Sequence, residues 1–444
     1  MQSKKVLKML ESLPYLSVGL DVGADFTWMS IALPNGAFIG KPFKIIHSDP
    51  SSRDLAVSKI KEAQETHSLE SRCFLESTGI YHIPLLCFLR DKGFDCSVIN
   101  PIITKNSTNM NIRKVHNDKF DSKKAASVGL NTSLKVSIVP DDDVVNLRNL
   151  VRDYYYFKDL QSAVALKLTA ELKVSFPSYL QVFSKVTTLT SLKLLEAYPL
   201  ATDMLAASKD ELVDLIKNTS RFGKKYAFDK YDALCTAAKD AAIFGRALNS
   251  NAVRIKLYIS TYREYQKHLD EILEALHESV DKLQGTAVYE RIRLLQSLQG
   301  IGFLSAVVLV AEMGDFGLFS SPRKLYAYFG LDPAVKQSGK FTGDKVHMSK
   351  RGSSLARRIL HMAALNNVKV NSGTKLPVNP VIHDYYIEKC RNKKKNVAIG
   401  AVMHKLCNII FAMLRDNKPF EPISRERHCE RYAAEHSVKA GNVA

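Results

Sequence analysis

The chain lacks any apolar run approaching the ~20 residues that a membrane-spanning helix requires, so a soluble protein with no membrane partner is expected. Its first 13 residues carry Lys4, Lys5 and Lys8 but lack the apolar stretch and small-residue cleavage site of a secretory signal. Cysteine is sparse and scattered. Seven residues, an odd number, occur with no Cys-x-x-Cys pair, which argues against a zinc ribbon or a dithiol redox site and fits a reducing cytoplasm. Acidic residues are in deficit: Asp plus Glu number 45 against 63 Lys plus Arg, a formal charge of +18. Such an excess favours a polyanion, because each neutralised phosphate releases condensed counterions. No basic amphipathic anchor or lipidation motif is found, so nucleic acid is favoured over an anionic membrane surface. With 444 residues, 46% of them hydrophobic, there is material for about three domains with buried cores.

What the chain does carry is a set of four acids spaced for divalent-metal phosphoryl transfer. Asp21 closes the apolar run 16–20, Glu76 closes 71–75, and Asp118 and Asp121 stand at i, i+3. Carboxylates at the ends of neighbouring strands point into one crevice beyond the sheet, and an i, i+3 pair faces one way on a helix, with Cβ atoms roughly 5–6 Å apart. Without a cation such a cluster repels itself and pushes pKa values upward, so Mg²⁺ or Mn²⁺ is the expected neutralising partner. Taken singly, an acid after a strand is more often a turn or cap residue, and the case rests on the ensemble. Around Asp21 the apolar segments 26–33 and 37–45, joined by Pro34, Asn35 and Gly36, read as a three-stranded antiparallel meander opening an RNase H-like domain. A helix at about 51–66, the strand ending at Glu76, a helix near 80–92 and a short strand 96–99 stopped by Asn100 and Pro101 complete a mixed α/β sheet.

An acidic break at 140–143 ends this first domain, 1–140. The region 141–290 reads as helical. Within it Ile255, Tyr258, Tyr262, Tyr265, Leu269, Ile272 and Leu276 recur in steps of three and four, and Val280 and Leu283 follow after a stutter. That seam is a coiled coil joining two protomers or an intrachain antiparallel pairing with the helix near 145–171. Residues at about 175–250 form a helical insertion in which no chemistry is legible. In the third region, 291–425, the glycines of Gly300, Ile301 and Gly302 between two helical runs suit either a helix-hairpin-helix phosphate contact or a tight turn needing only φ > 0. A glycine-rich polar loop follows with Ser338, exposed beside Gly339, and with Lys340, Lys345, Lys350, Arg351, Arg357 and Arg358. These cations suit phosphates. A loop serine alone is usually inert. A second cluster, Lys389, Arg391, Lys393, Lys394 and Lys395, either contacts backbone or is the solvated entry to a helix at 397–414. Residues 426–444 are a polar tail.

The whole set resembles the DEDD transposases of bacterial insertion sequences, the group that includes Piv-type pilin-gene invertases. The matching residues are Gly19, Leu20 and Asp21; the run Glu76 to Tyr81; Val98 to Pro101; Asn117 to Asp121; Gln299 to Gly302; Gln337 to Lys340; and Met348 to Gly352. His116 and Ser122 depart from the usual lysine and alanine. The resemblance implies a RuvC-like domain, a coiled-coil dimerisation region and a mostly helical C-terminal transposase domain. It makes Asp21, Glu76, Asp118 and Asp121 metal ligands and Ser338 the nucleophile of a phosphoserine intermediate, completed by a neighbouring protomer in a homodimer or homotetramer. It further implies double-stranded DNA as substrate, at element ends and target, and a structured noncoding RNA as guide. A RuvC-like Holliday-junction nuclease using water, with Ser338 incidental, is the competing reading. An actin-like ATPase would share the first phosphate loop around Asp21, but the second Asp-x-Gly loop and the late glycine-rich adenosine site are not found.

Overall fold

The computed structural model describes residues 14–76, 81–99, 118–130, 141–334, 337–338, 341–342, 347–422 and 427. Residues 77–80 and 100–117, which include motif positions Asn100, Pro101, His116 and Asn117, lie outside the described residues, as do Lys340, Lys345 and the tail from 428. The chain divides into two compact units, 1–140 and 141–444.

The first unit is built on strands β1 (Leu16–Val22), β2 (Phe26–Ala32), β3 (Phe38–Ile46), β4 (Ser71–Glu76) and β5 (Asp95–Ile99), in the order β3-β2-β1-β4-β5. The first three form the antiparallel meander expected from the sequence, and β1, β4 and β5 run parallel. The β2–β3 turn closes because Gly36 adopts φ +87°, letting Leu33 and Ala37 bond at 2.8 Å. Alternation along β1 sorts its two faces. Leu16, Val18, Leu20 and Val22 join one apolar core with α1 (Pro50–His67) and α2 (His82–Asp91). Ser17, Gly19 and Asp21 fall on the opposite face, which α3 (Asp118–Gly129) covers.

The second unit is helical. Helix α4 (Asp142–Ser175) pairs along its length with a later helix, Asn249–Asp281. Asn146 meets Ser279, Gln161 meets Gln266 and Glu171 meets Arg254, so the two run antiparallel. Between them lie α5 (Tyr179–Val182), α6 (Leu189–Ala197), α7 (Ala201–Ala206), α8 (Lys209–Thr219) and α9 (Lys224–Phe244), making the later helix α10. The seam is therefore consumed within the chain: Ile255, Leu269, Leu276 and Val280 are buried, and the intrachain alternative is the one observed. Ile255 and Ile259 pack with α5 to α9, whereas Leu276, Val280 and Leu283 share a core with Leu147, Val151 and residues 292–413. No break in packing occurs at 290.

Beyond α10 come α11 (Ala287–Gln296), α12 (Phe303–Met313), α13 (Pro322–Tyr328), α14 (Ser354–Val368), α15 (Pro380–Asn392) and α16 (Lys395–Asp416). The expectation that no segment matches a membrane span needs one correction. With 22 residues and a mean hydropathy of 1.8, α16 is long and apolar enough to cross a bilayer. Its apolarity has another use here, since Val402, Leu406, Cys407, Ile410 and Phe411 fill the second unit's core.

Candidate functional site

Register brings the first two acids level. Leu20 pairs with Leu75 across the parallel β1–β4 ladder, so Asp21 and the strand-final Glu76 stand side by side on strands about 4.8 Å apart. The other two arrive on α3, which descends β1 in antiparallel sense. Tyr15 Oη donates to Gly129 O at 2.6 Å, Ser17 Oγ donates to Ala126 O at 2.6 Å, and Gly19 lies against Ser122 and Ala126. Each step of two residues up the strand is matched by a step of three or four down the helix, so Asp21 falls opposite the first turn, where Asp118 and Asp121 sit. The approach is close enough to require glycine: a Cβ on residue 19 would stand 2.1 Å from Ala126 N. Ser122 is fully buried, with its hydroxyl 2.8 Å from that of Ser30 on β2. The departure from alanine at this position is thus matched by a partner on the sheet.

Convergence shows in the electrostatics. Burial, then the charges of Asp121, Asp118 and Glu76 in that order, push Asp21 from an ordinary 3.8 up to about 7, against a small opposing pull from Lys124. Lys124 Nζ donates to Asp121 Oδ1 at 2.5 Å. Among the described residues, no three His, Cys, Asp or Glu side chains are already arranged as metal ligands. Donor chemistry nevertheless fits a hard cation: carboxylate oxygens alone, one of them pushed up to about 7 by burial and by its acidic neighbours. Sequence reasoning named the four acids but missed Ser17, Ser30 and Lys124, which fix the helix that carries two of them. Small residues at 17 and 19, alternating with large apolar ones, were the available signal.

Ser338 belongs to the second unit. Strands β6 (Pro333–Ala334) and β9 (His347–Met348) pair at the base of a hairpin, and β7 (Gln337–Ser338) pairs with β8 (Phe341–Thr342) further out, Ser338 opposite Phe341. The base is tied down. Ser349 N donates to Asp332 O at 2.7 Å, the Ser349 hydroxyl donates to the Asp332 carboxylate, and Lys350 N donates to Gly330 O at 3.0 Å. Arg357 Nη1 donates to Phe329 O at 2.9 Å and Gly352 O at 2.7 Å, so part of its guanidinium serves the fold rather than a phosphate. Arg358 pairs with Asp159 at 2.9 Å and lies over the Tyr155 ring. Lys350, Arg351, Lys393, Lys394 and Lys395 are exposed.

The two glycines of the 300–302 turn separate. Gly300 has φ +82°, and a Cβ there would come within 2.7 Å of Asn367 Nδ2, which donates to Gln299 O at 2.6 Å. That glycine is required by the turn itself. Gly302 caps α12 with open space around it.

Two family models match the chain. One for DEDD transposases of the IS110 type, described as "Transposase", covers residues 18–177, and one described as "Transposase IS116/IS110/IS902 family" covers 292–386. The insertion element IS110 uncharacterized 43.6 kDa protein of Streptomyces coelicolor is 24% identical over 230 residues, 51% of this chain and 52% of that protein. The pilin gene-inverting protein of Moraxella bovis is 26% identical over 170 residues, 38% of this chain and 51% of its own length. The transposase for insertion sequence element IS1111A of Coxiella burnetii is 32% identical over 146 residues, 32% of this chain and 38% of that one. The chain thus spans about half or less of the length of these relatives.

Proposed function

We propose, from the transposase models of the IS110/IS116 type that match residues 18–177 and 292–386, that the chain cuts and rejoins DNA strands, using a Mg²⁺- or Mn²⁺-loaded site at Asp21, Glu76, Asp118 and Asp121 with Ser338 as nucleophile. The observation that carries the metal reading is the convergence of the four acids, Asp21 level with Glu76 and opposite the first turn of α3, where burial first and then the charges of the other three push Asp21 up to about 7. Divalent ions at such a site neutralise the cluster and stabilise charge developing on a scissile phosphate. The chain's own residues have three tasks. Asp21 would release its proton on becoming a ligand, Lys124 pairs with Asp121 and would be displaced from it in a loaded site, and the small-residue contacts of α3 keep the four acids together.

In this reading Ser338 Oγ forms a phosphoester with one DNA end while the bond to the departing deoxyribose oxygen breaks, conserving the bond for rejoining. The ties through Asp332, Ser349 and Arg357 support a fixed presentation of the hairpin. Ser338 serving the acidic site of a second protomer, within a homodimer or homotetramer, belongs to the same proposal. So does a structured noncoding RNA guide beside double-stranded DNA. A net charge of +18 supports polyanionic partners.

Incubation of the protein with supercoiled DNA carrying the element's ends, followed by denaturing electrophoresis, tests this. Asp21→Asn is expected to abolish metal-dependent cutting, and Ser338→Ala to abolish the covalent protein–DNA adduct together with strand joining. Undiminished cutting by Ser338→Ala without any adduct in the parent would replace the proposal with a water-using nuclease.

A further inference from the structure

The helical insertion ends in a tip that the proposed reaction does not use. Between the last turn of α8 and the first turn of α9, residues 215–228 contain four cations, Lys217, Arg221, Lys224 and Lys225, and no Asp or Glu. All four are exposed, and among the described residues none forms an ion pair. In their midst Phe222 is 62% exposed, with its ring centre 4.5 Å from that of Tyr226. Tyr226 leans on the insertion's apolar core and so backs the outer ring. The loop is pinned, since Ser220 Oγ donates to Phe222 O at 3.3 Å and accepts from Phe222 N at 3.4 Å. Beside it, nothing lies within 4 Å of the position a Cβ would take on Gly223.

Each part has a consequence for what could cover the tip. A lone exposed phenylalanine is ordinary, but a backed aromatic ring on a short segment whose four cations have no ion-pair partner among the described residues is selective. An apolar protein surface would have to desolvate four charges without compensation. A duplex would satisfy the cations but keeps its base faces stacked away from Phe222. A single strand supplies both requirements, an unpaired base for the ring and phosphates for Lys and Arg.

We propose that the 217–226 tip is a binding site for single-stranded nucleic acid, with one unpaired base stacked on Phe222 and the adjoining phosphates held by Lys217, Arg221, Lys224 and Lys225. The site works without the acidic cluster or Ser338, so binding persists when divalent cations are chelated.

The full-length protein in EDTA is titrated against a fluorescein-labelled oligothymidylate and a duplex hairpin of matched charge, by anisotropy. Phe222→Ala is expected to weaken single-strand binding about tenfold, a stacking loss typical of one base, with duplex affinity unchanged. Phe222→Trp should retain single-strand binding, which separates a lost ring from a misfolded loop. Replacing Lys224 and Lys225 together by Ala should lower the slope of log affinity against log salt by about 1.4, at ~0.7 per phosphate contact. A strand carrying 4-thiothymidine should photocrosslink to the peptide spanning 217–226. The proposal is overturned if Phe222→Ala binds single strands as the parent does, if it weakens duplex binding by the same factor, or if no crosslink maps to this peptide. Because a chelator is present throughout, failure here leaves the metal-dependent reading standing, and loss of that reading leaves this one.

Discussion

Asp21 concentrates the protein's electrostatics in one side chain. The folded state holds its proton to about pH 7, whereas the unfolded chain releases it near 3.8. Its contribution to stability is therefore fully present below pH 3.8 and is lost as pH rises through 7. Without divalent metal, Asp21→Asn should melt above the parent at pH 8, with the gap closing toward pH 4, as followed by circular dichroism. Adding Mg²⁺ should raise the parent's melting temperature increasingly above pH 7 and leave the variant unmoved; equal responses would exclude Asp21 as a ligand. Gly19 is the other residue on which the site depends. Gly19→Ala would drive a methyl group into the α3 backbone, costing about 3 kcal/mol or more in chemical unfolding and separating Asp118 and Asp121 from Asp21.

At the scale of elements, α3 is held to the sheet by small residues and short hydrogen bonds. Its docking is specified by surfaces that a large side chain would spoil. The Ser30–Ser122 pair gives a clean test. Ser122→Ala strands the buried Ser30 hydroxyl and should cost about 1–3 kcal/mol, whereas the Ser30→Ala, Ser122→Ala double variant should return most of that loss. A double variant as unstable as the sum of the two singles would show that no pair exists. The helix carrying the pair was only half legible. Its i, i+3 acids announced two residues sharing a face, but the buried serine contact has no periodic signature and appears only when β2 and α3 meet.

Over the whole molecule, the same apolar stripe illustrates what pattern can and cannot determine. Spacing in threes and fours along α10 specifies a helix with one buried side, and does not specify which helix covers it. In the structure α4 of the same chain does so, and one end of the seam passes into the core shared by α11 to α16. Leu276→Asp should consequently abolish cooperative unfolding of the second unit, not release a folded monomer from a larger assembly; a soluble, cooperatively melting monomer would contradict the observed pairing. Arg357 shows a related limit of local pattern. A cation dense in sequence with others resembles a phosphate contact, yet two of its hydrogen bonds go to carbonyls at the base of the Ser338 hairpin. The sequence by itself determined the strands and helices of the first unit and the four acids at their ends, because alternation, turn glycines and the i, i+3 step are local properties of a chain. Only the tertiary structure decided how far those acids disturb one another, which helix fills the long seam and which cations are exposed rather than bonded within the fold. Those depend on contacts between residues far apart in the chain, and no local pattern encodes them.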